Sequence, residues 1–131
     1  IDKKMYLVDL PGYGYAKRSM ESKRSWSSLT EDFFVKNPSI DALKLVIQLI
    51  DIRTGPTDDD IMMINFLIDN GVNFVVVATK TDKLSKAQLK AAIENIQNDF
   101  FLGTGIEILP FSSVTRDGKD ELWRVISDAI S

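Results

Sequence analysis

The stretch VVVATKTDKLS (Val75–Ser85) drives an apolar run straight into Thr79, Lys80, Thr81 and Asp82. A turn needs only one small or polar residue to break a strand. Here a hydroxyl, a long cation and a carboxylate follow in fixed order, which raises the question of what they hold. Guanine presents N1–H and N2–H on one edge, and the single carboxylate of Asp82 can accept both. Charge-assisted hydrogen bonds of this kind contribute about 1.5–3 kcal/mol each. Adenine offers an acceptor at N1 and no exocyclic amine beside it, so it would leave a desolvated charge unpaired, the usual origin of strong discrimination. Lys80 can lay its alkyl stem along the base face, and Thr79 can brace the loop. The competing reading is a capped βα turn with an exposed Lys-Asp pair.

Two further clusters share this character: DLPG (Asp9–Gly12) and SSV (Ser112–Val114). Asp9 closes an apolar run, where a carboxylate can hold a magnesium ion directly or through water. Gly12 has no Cβ, so its N–H can approach a phosphate closely. Backbone N–H groups near Ser112 and Ser113 could donate to the guanine O6. Taken alone, DLPG reads better as an ordinary Pro-Gly turn, and a serine pair carries almost no information. A match to [NT]-K-x-D is rarer than one to D-x-x-G, and the order and placement of the set give it its weight.

Placement follows from the elements. Four apolar runs, at 5–8, 43–52, 74–78 and 106–111, read as buried strands. They are continuous, not alternating, as in a parallel sheet covered on both faces. Helical spacing fills the intervals. Trp26, Leu29 and Phe33 form one apolar stripe, and Ile61, Ile64 and Ile68 a second. Leu89, Ile93, Ile96 and Phe100 form a third, and Leu122, Ile126 and Ala129 a fourth. Thr57 is the expected N-cap of the second helix, with Asp58, Asp59 and Asp60 in its favoured first turn. A metal site is the weaker reading of that acidic triplet. The β-α alternation predicts an α/β class with a mostly parallel sheet flanked by helices, in one domain over residues 1–131. Ligands of such sheets bind beyond the carboxyl ends of the strands, and the three polar clusters all fall there.

Composition narrows the chemistry. With 131 residues, 44% of them hydrophobic, the chain suits one domain with its own core. It has no cysteine and no histidine, which excludes disulfides, Cys/His zinc sites, a Ser-His-Asp triad and a Cys-His pair. No apolar run reaches the length of a membrane span. The net charge of −3 argues against unspecific nucleic-acid binding. Residues 1–36 nevertheless carry seven Lys/Arg against five acids, including AKRSMESKR (Ala16–Arg24). That run is either a solvated helix face or a partner-docking surface.

With these motifs assembled, the chain resembles the translation-factor-related GTPases, and among them the EngB/YihA/YsxC family of bacterial ribosome-assembly GTPases. The strings that carry the likeness are VDLPGYGYAK (Val8–Lys17), DIRTGPTDDD (Asp51–Asp60), TKTDKLSK (Thr79–Lys86), and FSS with the later DELW (Asp120–Trp123). The resemblance implies a Ras-like P-loop GTPase fold, GTP/GDP and Mg²⁺ as ligands, a cytoplasmic setting and the large ribosomal subunit as partner. By position it implies that Asp9 is linked to the magnesium ion and Gly12 senses the γ-phosphate. Thr79, Lys80 and Asp82 fall in the guanine-reading motif, and Ser112 and Ser113 in the fifth motif.

One element of the family pattern is absent: no G-x-x-x-x-G-K-[ST] occurs, and GYGYAKRS (Gly12–Ser19) has the wrong spacing for it. The resemblance places that cradle upstream of Asp9. The expectation is therefore the C-terminal two-thirds of a GTPase domain, lacking its N-terminal strands and P-loop, not competent in hydrolysis alone and open to self-association. Tyr13 stands where many GTPases carry a water-orienting glutamine, so no catalytic residue is assigned. The alternative function is a non-catalytic module that binds ribosome, RNA or protein through its basic segment.

Overall fold

The computed structural model describes Met5 and residues 42–131. The first expected strand beyond Met5, the helix expected from Trp26, Leu29 and Phe33, and the site candidates Asp9 and Gly12 lie outside the described residues. The elements run β1 (Val46–Asp51), α1 (Asp58–Asp69), β2 (Phe74–Thr79), α2 (Lys86–Phe100), β3 (Ile108–Pro110) and α3 (Lys119–Ile130). A 3₁₀ turn at Thr81–Lys83 joins β2 to α2. The α/β class with a parallel sheet is thus as expected. The strands lie in the order β1-β2-β3, each pair parallel.

Register decides what meets at the carboxyl ends. Asp51 lies beside Thr79, and Ala78 beside Pro110. The short third strand is extended by bonds of its following residue: Phe111 N–H donates to the Ala78 carbonyl at 2.8 Å, and Thr81 N–H donates back to the Phe111 carbonyl at 3.4 Å. The ends of all three strands therefore share one rim, with the β2–α2 and β3–α3 loops stitched together.

One sheet face carries the main core. Ile50, Ile52, Val76, Ala78 and Ile108 pack with Ile64 of α1 and Ile96 of α2, all buried. Helix α1 starts as its sequence predicts. The Thr57 hydroxyl accepts the Asp60 N–H at 3.1 Å, and the Asp60 carboxylate accepts the Thr57 N–H at 2.9 Å, a closed capping box. A cap of this type contributes about 1 kcal/mol. The other oxygen of Asp60 accepts from the buried Gln48 amide at 3.3 Å, tying the helix start to β1.

That tie corrects the expected α1 stripe. Asp60, Met63, Ile64 and Leu67 are buried, whereas Ile68 is 48% exposed. Drawing Asp60 inward turns the helix so that its sheet-facing row starts at 60 and not at 61, although Ile61 still packs on the core edge. In α2 the expected Leu89, Ile93 and Ile96 do face the core, but Phe100 is exposed and Phe101 is buried in its place. The helix stops there: the Phe101 N–H caps onto the Gln97 carbonyl, and the turn points the next ring inward. Leu122, Ile126 and Ala129 of α3 are half-buried only.

Gly118 closes the β3–α3 loop at φ +85°. A Cβ there would sit 2.0 Å from the Pro110 carbonyl oxygen. Gly71 also has positive φ, at +64°, but open space around it. Gly71→Ala is therefore expected to lose only the left-handed penalty of about 1–2 kcal/mol. Gly118→Ala should lose clearly more, because the β3 backbone has to move. Urea unfolding of both variants checks this, and equal losses would show that the loop relaxes freely.

Candidate functional site

Strand β2 delivers Thr79, Lys80 and Asp82 to the rim in three different ways. The Thr79 hydroxyl donates to the Ile50 carbonyl at 3.1 Å, bracing the strand end against β1. Lys80 then takes a left-handed conformation, φ 64° and ψ 31°. A lysine there costs on the order of 1–2 kcal/mol, strain of the sort that gathers at functional loops. The turn folds the chain back at once, with Lys83 N–H donating to the Lys80 carbonyl at 3.1 Å. Thr81 is buried beneath it, and Asp82 is half-buried facing the end of β3.

Ser112 meets Asp82 there. It has no exposed surface, and its hydroxyl donates to Asp82 Oδ1 at 2.8 Å. The Ser112 hydroxyl oxygen also accepts the N–H groups of Val114, at 3.2 Å, and Thr115, at 3.1 Å. A hydroxyl has one donor and two lone pairs, so all of its capacity is used. The Ser112 N–H donates to the Asp117 carbonyl at 3.0 Å, so it is spent within its own loop. Of the two serine amides considered for the O6 of guanine, that leaves Ser113, which is exposed and whose N–H makes no hydrogen bond among the described residues. Asp82 Oδ2 is likewise without a partner among the described residues. One open carboxylate oxygen and one open amide, carried by two loops stitched together, are an acceptor and a donor of the kind a polar heterocycle takes.

Asp51 and Arg53 join this rim, and sequence reasoning did not single them out as site residues. Arg53 donates its N–H to Asp51 Oδ1 at 2.9 Å, its Nε to the same oxygen at 3.2 Å, and its terminal nitrogen to Oδ2 at 3.0 Å. Lys80 Nζ stands 3.4 Å from Asp51 Oδ2. The Arg53 side-chain bonds hold the Asp51 carboxyl down at about 2, from an ordinary 3.8, against the opposing effect of partial burial. Asp51 in turn raises the Arg53 guanidinium, with a smaller push from Asp82. The available signal was positional, because a carboxylate as the last residue of a parallel strand falls on the same rim as Thr79.

A separate groove lies elsewhere. It has a volume of about 790 Å³ and is lined by Val75, Leu109, Val125 and Ala129, with Leu45, Asn73 and Glu107 by the amino ends of the strands. None of Asp51, Arg53, Thr79, Lys80, Asp82, Ser112 or Ser113 lines it. Among the described residues no group of three or more His, Cys, Asp or Glu side chains could hold a metal ion, and no helix there is long and apolar enough to cross a membrane.

Comparison with known proteins agrees with this architecture. Residues 32–131 match the Elongation factor Tu GTP binding domain, and the chain belongs to that family of GTP-binding domains. Proteins it is similar to include EngB proteins. The chain is 44% identical over 130 residues to a probable GTP-binding protein EngB of Clostridium kluyveri, covering 99% of this chain and 64% of the relative. To the corresponding protein of Lachnoclostridium phytofermentans it is 40% identical over 126 residues, covering 96% and 61%. The chain thus spans a little under two-thirds of the length of these relatives. A crystal structure of a probable GTP-binding protein engB superposes with a TM-score of 0.73 at 17% identity, over 93% of this chain and 76% of that one, a likeness of fold.

The Asp51–Arg53 pair has a pH signature. Because the folded carboxyl sits at about 2 and the ordinary value is 3.8, its contribution is complete above 3.8 and is lost as pH falls through that window toward 2. The urea midpoint of the unsubstituted protein should therefore fall more steeply between these limits than that of Asp51→Asn. Salt should shrink the difference, since the pair is partly exposed. Parallel curves would show that the pair contributes nothing measurable to folding.

Proposed function

We propose that the rim formed by Thr79, Lys80, Asp82, Ser112 and Ser113 binds the base of a guanine nucleotide. We further propose that the protein hydrolyses GTP to GDP as a switch acting in assembly of the large ribosomal subunit. The observation that carries the base assignment is Asp82, a carboxylate fixed through one oxygen by a buried hydroxyl and open at the other. In this reading Asp82 accepts N1–H and N2–H, and the Ser113 amide donates to O6. The Lys80 stem covers the base face, while Thr79 and Ser112 act indirectly by holding strand end and carboxylate in place. Membership of the GTP-binding domain family supports the nucleotide.

The finer assignments rest on the EngB resemblance. It supports Mg²⁺ at Asp9, γ-phosphate sensing at Gly12, the ribosomal partner and a cytoplasmic setting. Among the 131 residues there is no G-x-x-x-x-G-K-[ST], so the described rim accounts for the base end of the nucleotide only. Bound Mg²⁺ would neutralise phosphate charge; the residues described here select and orient the base.

Titration with fluorescent GDP in the presence of Mg²⁺, competed by unlabelled GDP and ADP, tests the base assignment. GDP should displace the probe far better than ADP, because the wrong base strands the Asp82 charge. Asp82→Ala removes two charge-assisted bonds of about 1.5–3 kcal/mol each and should weaken GDP by about 100-fold or more, with the preference over ADP largely gone. Equal competition by ADP against the unsubstituted protein would overturn the assignment. GTP-dependent cosedimentation with large ribosomal subunits tests the partner, and binding that ignores the nucleotide state would count against a switch.

A further inference from the structure

The guanine-site reading leaves one physical problem open. Lys80 has a long stem with about 2 kcal/mol of rotamer entropy, and its side chain is 55% exposed. Such a side chain covers a base face reproducibly only when both ends are held. The near end is fixed by the left-handed turn at Lys80. The far end stands 3.4 Å from Asp51 Oδ2, at the neighbouring strand end.

Asp51 is itself held. Strand register seats it beside Thr79, the residue before Lys80. The Arg53 fork and N–H engage both of its oxygens and set the plane of the carboxylate. We propose, on the guanine-site reading above, that Asp51 and Arg53 are positioning residues for Lys80, stretching its stem between the ends of β2 and β1 so that it forms one wall of the base site. Neither residue touches the base; each acts through the lysine. Exposed ion pairs of this type add little to folding, so the consequence of the network is read in ligand binding.

The geometry makes the arrangement specific to these side chains. Arg53 supplies two parallel donors and its own amide to one carboxylate, a pattern that the point charge of lysine does not reproduce. Asparagine at 51 keeps the shape but loses the charge that draws Nζ, and it places a donor beside the ammonium. Both changes release the stem without altering the Asp82–Ser112 pair.

The test is a double-substitution cycle on the full chain, reading GDP and ADP dissociation constants. Asp51→Asn should weaken GDP by about 5- to 10-fold, a typical coupling between contacting residues. Arg53→Ala should act in the same direction, and Arg53→Lys should not restore binding. Lys80→Met should also weaken GDP, and adding Asp51→Asn to it should change nothing more. Urea midpoints accompany each variant, so that a loss of folding is not read as a loss of positioning. If Asp51→Asn binds GDP as the unsubstituted protein does, or weakens Lys80→Met by the same factor, the positioning role is overturned while the base site stands. If the unsubstituted protein shows no preference for GDP over ADP, the base assignment falls and the positioning role falls with it.

Discussion

The bond from the Ser112 hydroxyl to Asp82 holds the candidate site together. Without it the half-buried carboxylate would rotate about its own side-chain torsions, and no single oxygen would point outward. With it, one oxygen is engaged and the plane of the carboxylate is set, while lone pairs on both oxygens remain for further donors. The serine can do this because it has no exposed surface and because two amides of its own loop occupy its lone pairs. Its proton is left with one acceptor. A buried hydroxyl with every partner supplied orients its neighbours, whereas a partly satisfied one would destabilise the loop.

That bond is only possible because the sheet is parallel and in this register. Three strands running the same way bring three loops to one end, and pairing Ala78 with Pro110 sets the 82 and 112 loops face to face. The loops reach each other at some conformational cost. Lys80 and Arg116 are the two non-glycine residues with positive φ among those described, one in each loop. Gly118 completes the second loop where any side chain would meet the β3 backbone. Strain and close approach are thus concentrated at the rim, while β1 and β2 below it pair regularly. An α/β sheet supplies a rigid platform whose loops can hold conformations that would be costly elsewhere.

How far this was legible in the sequence depends on the kind of interaction. The apolar runs and the Thr57 cap were readable because strand periodicity and capping chemistry are local. So was the convergence of the TKTD and SSV loops, which follows from counting strands. The α1 stripe was misjudged by one residue because hydrophobic spacing cannot see the Gln48–Asp60 bond, which draws a carboxylate inward. Phe100 and Phe101 exchanged places for a similar reason: the periodic pattern does not mark where the helix stops. Ser112 was placed in the right loop, but its hydroxyl role depends on which group satisfies which, and only coordinates give that. Asp51 and Arg53 were legible as a strand end and overlooked as a site, since a carboxylate followed by arginine reads as solvated charge.

The charges on the rim explain what it is suited to bind. Asp51, Arg53, Lys80 and Asp82 are two carboxylates and two cations, neutral as a set, with opposite signs adjacent along the chain of contacts. A site for a bare anion would carry a surplus of positive charge or converging amides. A neutral set instead favours a neutral ligand whose donors and acceptors match fixed groups, and a purine base is such a ligand. In that reading selection at this end depends on the direction of one carboxylate and one amide, not on long-range attraction, which screening would weaken. On the proposed reading the distinction between bases rests on hydrogen-bond geometry, and the buried Ser112 hydroxyl, far less conspicuous in sequence than the Lys-Asp pair, then has a large part in it.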